Sequence, residues 1–213
     1  MTPKTIRLTL RSAATFGRGD GLAGLVDREI EHDTNGLPFL RGKTLKGLLL
    51  ESAENVVYAL EGGKSGDWAK SKEELFGRPG RGTAERGGLH ISDARLPAGL
   101  RAELLKAKEL KASDVLYSLT GIRRQTAMNP EGGPEHASLR SMRVLLPGVM
   151  LEAEVHFDNE PTEIQLQLLT AAVLDMRRGG TGRNRGRGHF EALLDDEAST
   201  QELFAQFAKA VGS

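Results

Sequence analysis

The chain has 213 residues, 38% of them hydrophobic and only 5% aromatic, with no cysteine and with 29 basic residues balanced by 29 acidic ones. That size gives one large domain or one domain with insertions. The lack of cysteine excludes disulfides and thiolate metal sites and fits a reducing compartment, the cytoplasm being the expected location.

No apolar run approaches the roughly 18 residues that span a bilayer, and the opening MTPKTIRLTL does not read as a signal peptide, so no membrane partner is expected. With zero net charge, any polyanion must be held by segregated rather than total charge.

Strand and helix patterns alternate along the chain. Residues 4–11 set Ile6, Leu8 and Leu10 against polar neighbours, the pattern of a half-buried strand. Residues 12–42 are rich in Gly and Asp, with short extended pieces at 22–32 and 37–40. Thr44 stands where an N-cap would for a helix over about 44–61, with Leu45, Leu48, Leu49, Ala53, Val56, Val57 and Leu60 on one face. Residues 62–87 are polar and Gly-rich and read as an insertion rather than core, in spite of Trp68, Leu75 and Phe76.

GLHISDARL at 88–96 reads as a strand, and 97–120 as a short helix followed by an extended piece. Gly121, Asn129, Pro130, Gly132, Gly133 and Pro134 make 121–143 a protruding hairpin. The Pro147-Gly148 turn leads to a strand at 149–157. Pro161-Thr162 opens a helix at 162–176 with Ile164, Leu168, Leu169, Ala172 and Val173 inward, and a strand near 188–194 and a helix near 199–211 follow.

Two strand–helix–strand halves predict an α+β fold: a ferredoxin-like (RRM-like) antiparallel sheet with helices on one face. No predicted strand carries an aromatic pair, so bound RNA would be gripped by backbone and shape rather than by base stacking.

The most informative stretch is RRGGTGRNRGRGHF at 177–190, with five glycines and five arginines in fourteen positions. Glycines allow positive φ and close backbone approach. Arg177, Arg178, Arg183, Arg185 and Arg187 add planar, permanently charged forks suited to phosphate oxygens. The plain alternative is a flexible linker, but linkers are seldom this cationic or placed between a helix and a strand of one domain.

GTGRNRGRG at 180–188 resembles the glycine-rich loop of the repeat-associated RAMP superfamily of CRISPR proteins. GLPFLRGKTLKGLL at 36–49 resembles that family's N-terminal motif, and LFGRPG at 75–80 with GLHISDARL at 88–96 its middle motif. TGIRRQTAMNPEGGPEHASLRSMRVLLPGVMLEAEV at 120–155 resembles the thumb hairpin and following strand of type III backbone subunits. The ordered set runs from about residue 5 to 192.

The resemblance implies one RAMP domain over 1–213, with an inserted lid region at about 62–87 and a thumb at about 120–143. It also implies a repeating subunit that grips a CRISPR guide RNA, lets it pair with single-stranded target RNA, and assembles with other RAMP subunits and further copies of itself. In such subunits an aspartate after the first strand cuts the target with a divalent metal, Mg²⁺ or Mn²⁺. GRGDGLAGLVDREIEHDTNGLPFLRG places Asp27 at that position, with Asp20 and Asp33 matching less well. A carboxylate can hold Mg²⁺ beside waters and phosphate, and the metal can activate a 2′-hydroxyl or a water. The bland reading of Asp27 is a turn-capping or solvated acid.

Other candidates for RNA contact are Arg41, Lys43 and Lys46 around the first helix N-terminus, where free N–H groups favour phosphate. Arg123, Arg124, Arg140 and Arg143 make a cationic hairpin base, and Arg178, Arg183, Arg185 and Arg187 with Gly182 and Gly186 form the loop grip. Met128 is a possible wedge or simply an exposed loop residue, and Trp68 anchors the 62–87 region. The five histidines lack zinc spacing.

Three functions therefore compete: a cutting backbone subunit, a non-cutting subunit with the same grip, and a repeat-RNA processing endonuclease relying on His32. No Walker or Rossmann fingerprint supports a nucleotide enzyme.

Overall fold

The alternation of Ile6, Leu8 and Leu10 becomes the middle of the sheet. The computed structural model describes residues 2–17, 19, 26–62, 66–78, 86–126, 133 and 139–212. Its strands are β1 (Thr5–Leu10), β2 (Phe39–Leu40), β3 (Leu89–Ile91), β4 (Ala94–Arg95), β5 (Thr120–Gln125), β6 (Arg140–Leu145), β7 (Met150–Phe157) and β8 (Phe190–Leu194). Its α-helices are α1 (Gly42–Glu61), α2 (Asp67–Phe76), α3 (Ala98–Lys106), α4 (Ala112–Leu119), α5 (Glu163–Asp175) and α6 (Glu197–Gly212).

β1 runs antiparallel to both neighbours, with Leu8 opposite Leu151 of β7 and Ala192 of β8. β3 and β4 line the other side of β7, through Leu89↔Phe157 and Arg95↔Glu152, and β2 pairs outside β4. Since β1 and β3 are both antiparallel to β7, they point the same way. The order β8–β1–β7–β3 with crossovers through α1 and α5 is the interleaved pair of halves of a ferredoxin-like α+β fold.

α1 and α5 lie side by side, with α2 against both and α6 against α5 and β8. Leu45, Leu49 and Ala53 of α1 and Leu168, Leu169, Ala172 and Val173 of α5 share one buried cluster with Ile6, Leu8, Leu10 and Leu151. Full burial of each such leucine or isoleucine stabilises the fold by roughly 1.5–3 kcal/mol. α5 starts at a reciprocal cap in which Gln165 N donates to Thr162 Oγ1 (3.3 Å) and Thr162 N to Gln165 Oε1 (2.9 Å).

Three elements differ from the sequence reading. α1 begins at Gly42 rather than at a Thr44 cap, because Asp93 Oδ1 accepts from Gly42 N at 3.0 Å. A side chain at Gly42 would lie 2.2 Å from Ile91 O, so the helix start is set by close packing on the β3–β4 connection.

The 62–87 stretch, expected to lie outside the core, contributes α2, with Leu75 and Phe76 buried. The Glu61 carboxylate accepts from Trp68 N (2.9 Å) and Ala69 N (3.3 Å), so the end of one helix caps the next. Trp68 meets the Phe207 ring of α6 edge-on at 5.6 Å.

Residues 97–120 form two helices rather than a helix and an extended piece, α4 being opened by Asp114 Oδ2 accepting from Lys111 N at 3.1 Å.

β5 and β6 make a separate antiparallel hairpin, paired from Thr120↔Leu145 to Gln125↔Arg140. Met128 and most of the expected thumb tip lie outside the described residues. Among the described residues no helix is long and apolar enough to cross a membrane.

Candidate nucleic-acid interface

The extended segment 13–17 after β1 holds the glycine-rich loop on one side and the hairpin base on the other. Thr181 N donates to Thr15 O (2.9 Å) and Gly188 N to Ala13 O (2.9 Å). Leu145 N donates to Ala14 O (2.7 Å), and Thr15 Oγ1 to Arg143 O (2.9 Å). Two glycines make the loop's close approach possible. At Gly188 (φ +64°) a Cβ would sit 1.8 Å from Gly179 O, and at Gly180 (φ +83°) 2.5 Å from Thr15 O. Gly182 and Gly186 instead bracket a 3-10 turn at Arg183–Arg185 in left-handed conformation.

Between loop and hairpin lies a cleft of about 710 Å³, lined by Arg28, Gln125, Thr126, Arg140 and Met142 on one wall. Gly180, Thr181, Gly182, Arg183, Asn184, Arg185 and Arg187 line the other, and none of the described lining residues is acidic. In the hairpin register Arg123 faces Met142 and Gln125 faces Arg140, so both pairs share the face toward the loop.

Arg187 is 4% exposed, its Nη1 lies 2.7 Å from Met142 Sδ, and its Nε has no partner among the described residues. Burial, then Arg123 and Arg185, hold its guanidinium below the ordinary arginine range.

The expected contact residues thus separate. Arg140, Arg185 and Arg187 line the cleft, and Arg123 stands close enough to act on Arg187. Arg183 borders it but is bound in a two-pronged pair to Glu51 of α1 (2.6 and 2.8 Å), which raises its pKa. Arg178 lines a second cleft beside α1 with Leu48, Ser52 and Asn55.

Arg124 stands on the hairpin face opposite to Arg123, across from Ser141. Arg41 is paired with Glu31 at 2.7 Å, which raises its pKa, and Lys43 is exposed. Lys46 is not brought to the cleft. Its Nζ donates to Leu89 O at 2.6 Å, near the sheet edge farthest from β8, and burial lowers its pKa.

Arg143, expected in the cationic hairpin base, is instead buried. Its Nε binds Glu29 Oε1 at 2.8 Å with both side chains 2% exposed, and its guanidinium lies over the Tyr117 ring at 5.1 Å. The sequence reading missed Arg28, whose Nη1 donates to Thr181 Oγ1 at 3.3 Å. The pairing of residue 28 with Met142 leaves no local signal.

Asp27 is exposed beside the hairpin. Its Oδ2 accepts from Ser141 N (2.5 Å) and Ser141 Oγ (3.0 Å), while Oδ1 has no partner among the described residues. The Ser141 N–H, then its hydroxyl and, more weakly, Arg140 hold the carboxyl below its ordinary pKa. Among the described residues no group of three or more His, Asp or Glu could hold a metal ion. Asp27 thus stands without a second and third protein ligand of that kind among the described residues.

A ferredoxin-like sheet with a glycine-rich, arginine-bearing loop set against a basic hairpin defines the class of domain. The family model of the RAMP superfamily matches residues 7–191, and the chain belongs to that superfamily.

Two solved structures share the fold. One is a chain in the cryo-EM structure of type III-B Cmr-beta bound to cognate target RNA, at 10% identity and TM-score 0.63, covering 90% of this chain and 96% of that one. The other is from the apo state of type III-B Cmr-beta, at 10% identity and TM-score 0.65, covering 91% and 97%. No curated protein sequence matches the chain.

Proposed function

We propose that this RAMP protein is a guide-RNA-binding backbone subunit of a type III CRISPR effector complex, assembled with other RAMP subunits and further copies of itself. The observation that carries the reading is a cleft, without an acid among the described residues that line it, in which Arg28, Arg140, Arg185 and the buried Arg187 converge with Arg123 beside them. Permanently charged forks on two walls suit the phosphates of a single strand, and the scarcity of aromatics suits a grip that ignores sequence. Sequence choice then belongs to guide pairing. The family relation and the fold shared with Cmr-beta chains support this setting.

We further assign Asp27 to metal-dependent cutting of guide-complementary target RNA. Asp27 is ionised at neutral pH, exposed, and offers Oδ1. A bound Mg²⁺ or Mn²⁺ would supply activation of the attacking hydroxyl. Ser141 orients the carboxylate, and Arg28 and Arg140, next in sequence to Asp27 and Ser141, hold the strand at the cleft wall. One observation favours a non-cutting subunit instead: Oδ2 already accepts two hydrogen bonds, as a purely structural acid would.

Incubating the assembled complex with guide-complementary RNA separates the two, using wild type and Asp27→Ala in Mg²⁺ or EDTA. Evenly spaced cuts lost in EDTA and in the variant, with guide retained, support cutting. Intact target in every lane with guide bound makes the protein a scaffold.

A further inference from the structure

The seam between hairpin and glycine loop carries like charges on both sides. Arg123 and Arg140 stand on the hairpin face that meets the loop, and Arg185 and Arg187 stand on the loop. Three other arginines at or near the site are paired with acids: Arg41 with Glu31, Arg143 with Glu29 and Arg183 with Glu51. Among the described residues that line the seam none is acidic, and the neighbouring Asp27 acts on Arg140.

Arg187 is the most exposed to this imbalance energetically and the least exposed to water. It is 4% accessible, and among the described residues its Nε has no acceptor and its Nη1 meets only the Met142 sulfur, at 2.7 Å. A thioether is a weak acceptor, and a buried guanidinium without an anion is costly. Methionine is also unbranched and flexible, so its sulfur can move aside.

We propose that the seam is completed by one phosphate group. A single phosphodiester of the bound strand displaces the Met142 sulfur from Arg187, with Arg123 and Arg185 on either side, and acts as the counter-ion that ties hairpin to loop. This deepens the RNA-binding reading and rests on it. The grip is then uneven along the strand: one phosphate is buried and bridging, while the others meet exposed arginines such as Arg140.

The test uses the full chain and a set of single-stranded RNAs, each with one neutral methylphosphonate at a successive position. One position is expected to weaken binding about tenfold and the others about twofold, the gap between a desolvated charge-assisted contact and a solvated one. In Arg187→Met that position loses its special penalty. Inorganic phosphate is expected to raise the melting temperature of wild type and not of Arg187→Met.

An even penalty at every position, with RNA still bound, overturns the bridging phosphate and leaves the RNA reading standing. Stabilisation by free phosphate with no singled-out RNA position also overturns it, assigning the seat to a free anion. Failure of wild type to bind RNA overturns the underlying reading. The methylphosphonate series is run on wild type, so poor folding of Arg187→Met does not remove the test.

Discussion

Asp27 and Ser141 hold each other through main chain and side chain together. Asp27 N donates to Ser141 O at 3.0 Å, and Ser141 N and Oγ both donate to Asp27 Oδ2. The next two residues continue the fastening, with Arg28 O accepting from Arg143 N at 2.9 Å and Glu29 Oε1 pairing with Arg143 Nε. Residues 27–29 are thereby zipped onto 141–143, and the candidate acid and the hairpin base behave as one body.

The Glu29–Arg143 pair carries the first prediction. Removing one partner strands a buried charge, so Glu29→Leu or Arg143→Met should cost roughly 3–5 kcal/mol. Removing both with Glu29→Leu and Arg143→Met should recover most of that loss, because an apolar pair of similar volume avoids desolvation. Urea unfolding of the two singles and the double checks it. Equal and additive losses would show that the pair is not coupled.

The same pair marks where the sequence stops being legible. The β1 alternation and the apolar stripes of α1 and α5 are local patterns, and the sheet follows from them. The place of the Gly/Arg loop between α5 and β8 was legible because its composition interrupts the patterns on either side. Arg143 was read as a hairpin cation because its partner lies 114 positions away, in a stretch that pairs only through isolated bridges. Arg28 was missed for the same reason. α2 was masked by its polar composition, and its cap is a carboxylate from the preceding helix. Lys46 looked like a phosphate ligand at a helix start, yet the chain directs its amine to Leu89 O.

That separation among the cations gives a second prediction. Arg185→Ala should weaken RNA binding for all sequences and lower the salt slope of log K by about 0.7, the increment for one phosphate on a single strand. Lys46→Met should leave affinity and slope unchanged. Filter binding between low and moderate salt measures both, and a slope change at Lys46 would move the RNA path to the α1 start.

The loop glycines divide in a similar way. Gly188→Ala combines a left-handed φ with a Cβ 1.8 Å from Gly179 O, whereas Gly186→Ala meets open space at φ +74°. The first should destabilise by about 2–5 kcal/mol and the second by about 1–2, from the left-handed penalty with and without overpacking. Thermal unfolding ranks them, and equal losses would mean that the loop does not pack as described.

The Asp27 carboxyl gives a pH signature. Its pKa in the folded chain is depressed by the Ser141 N–H first, then by the Ser141 hydroxyl. A group depressed on folding contributes stability that is fully present above its unfolded pKa, near 3.9, and is lost as pH falls through the folded value. Wild type should therefore exceed Asp27→Asn in stability at neutral pH, and the gap should close only in the acid range below about pH 4. Asp196, whose pKa is lowered by the Ser199 N–H, titrates in the same direction but is common to both proteins and cancels in the comparison. Denaturant unfolding from pH 2 to 7 provides the measurement. A gap that stayed constant across that range would mean that the variant acts through packing and that Ser141 does not read the charge of Asp27.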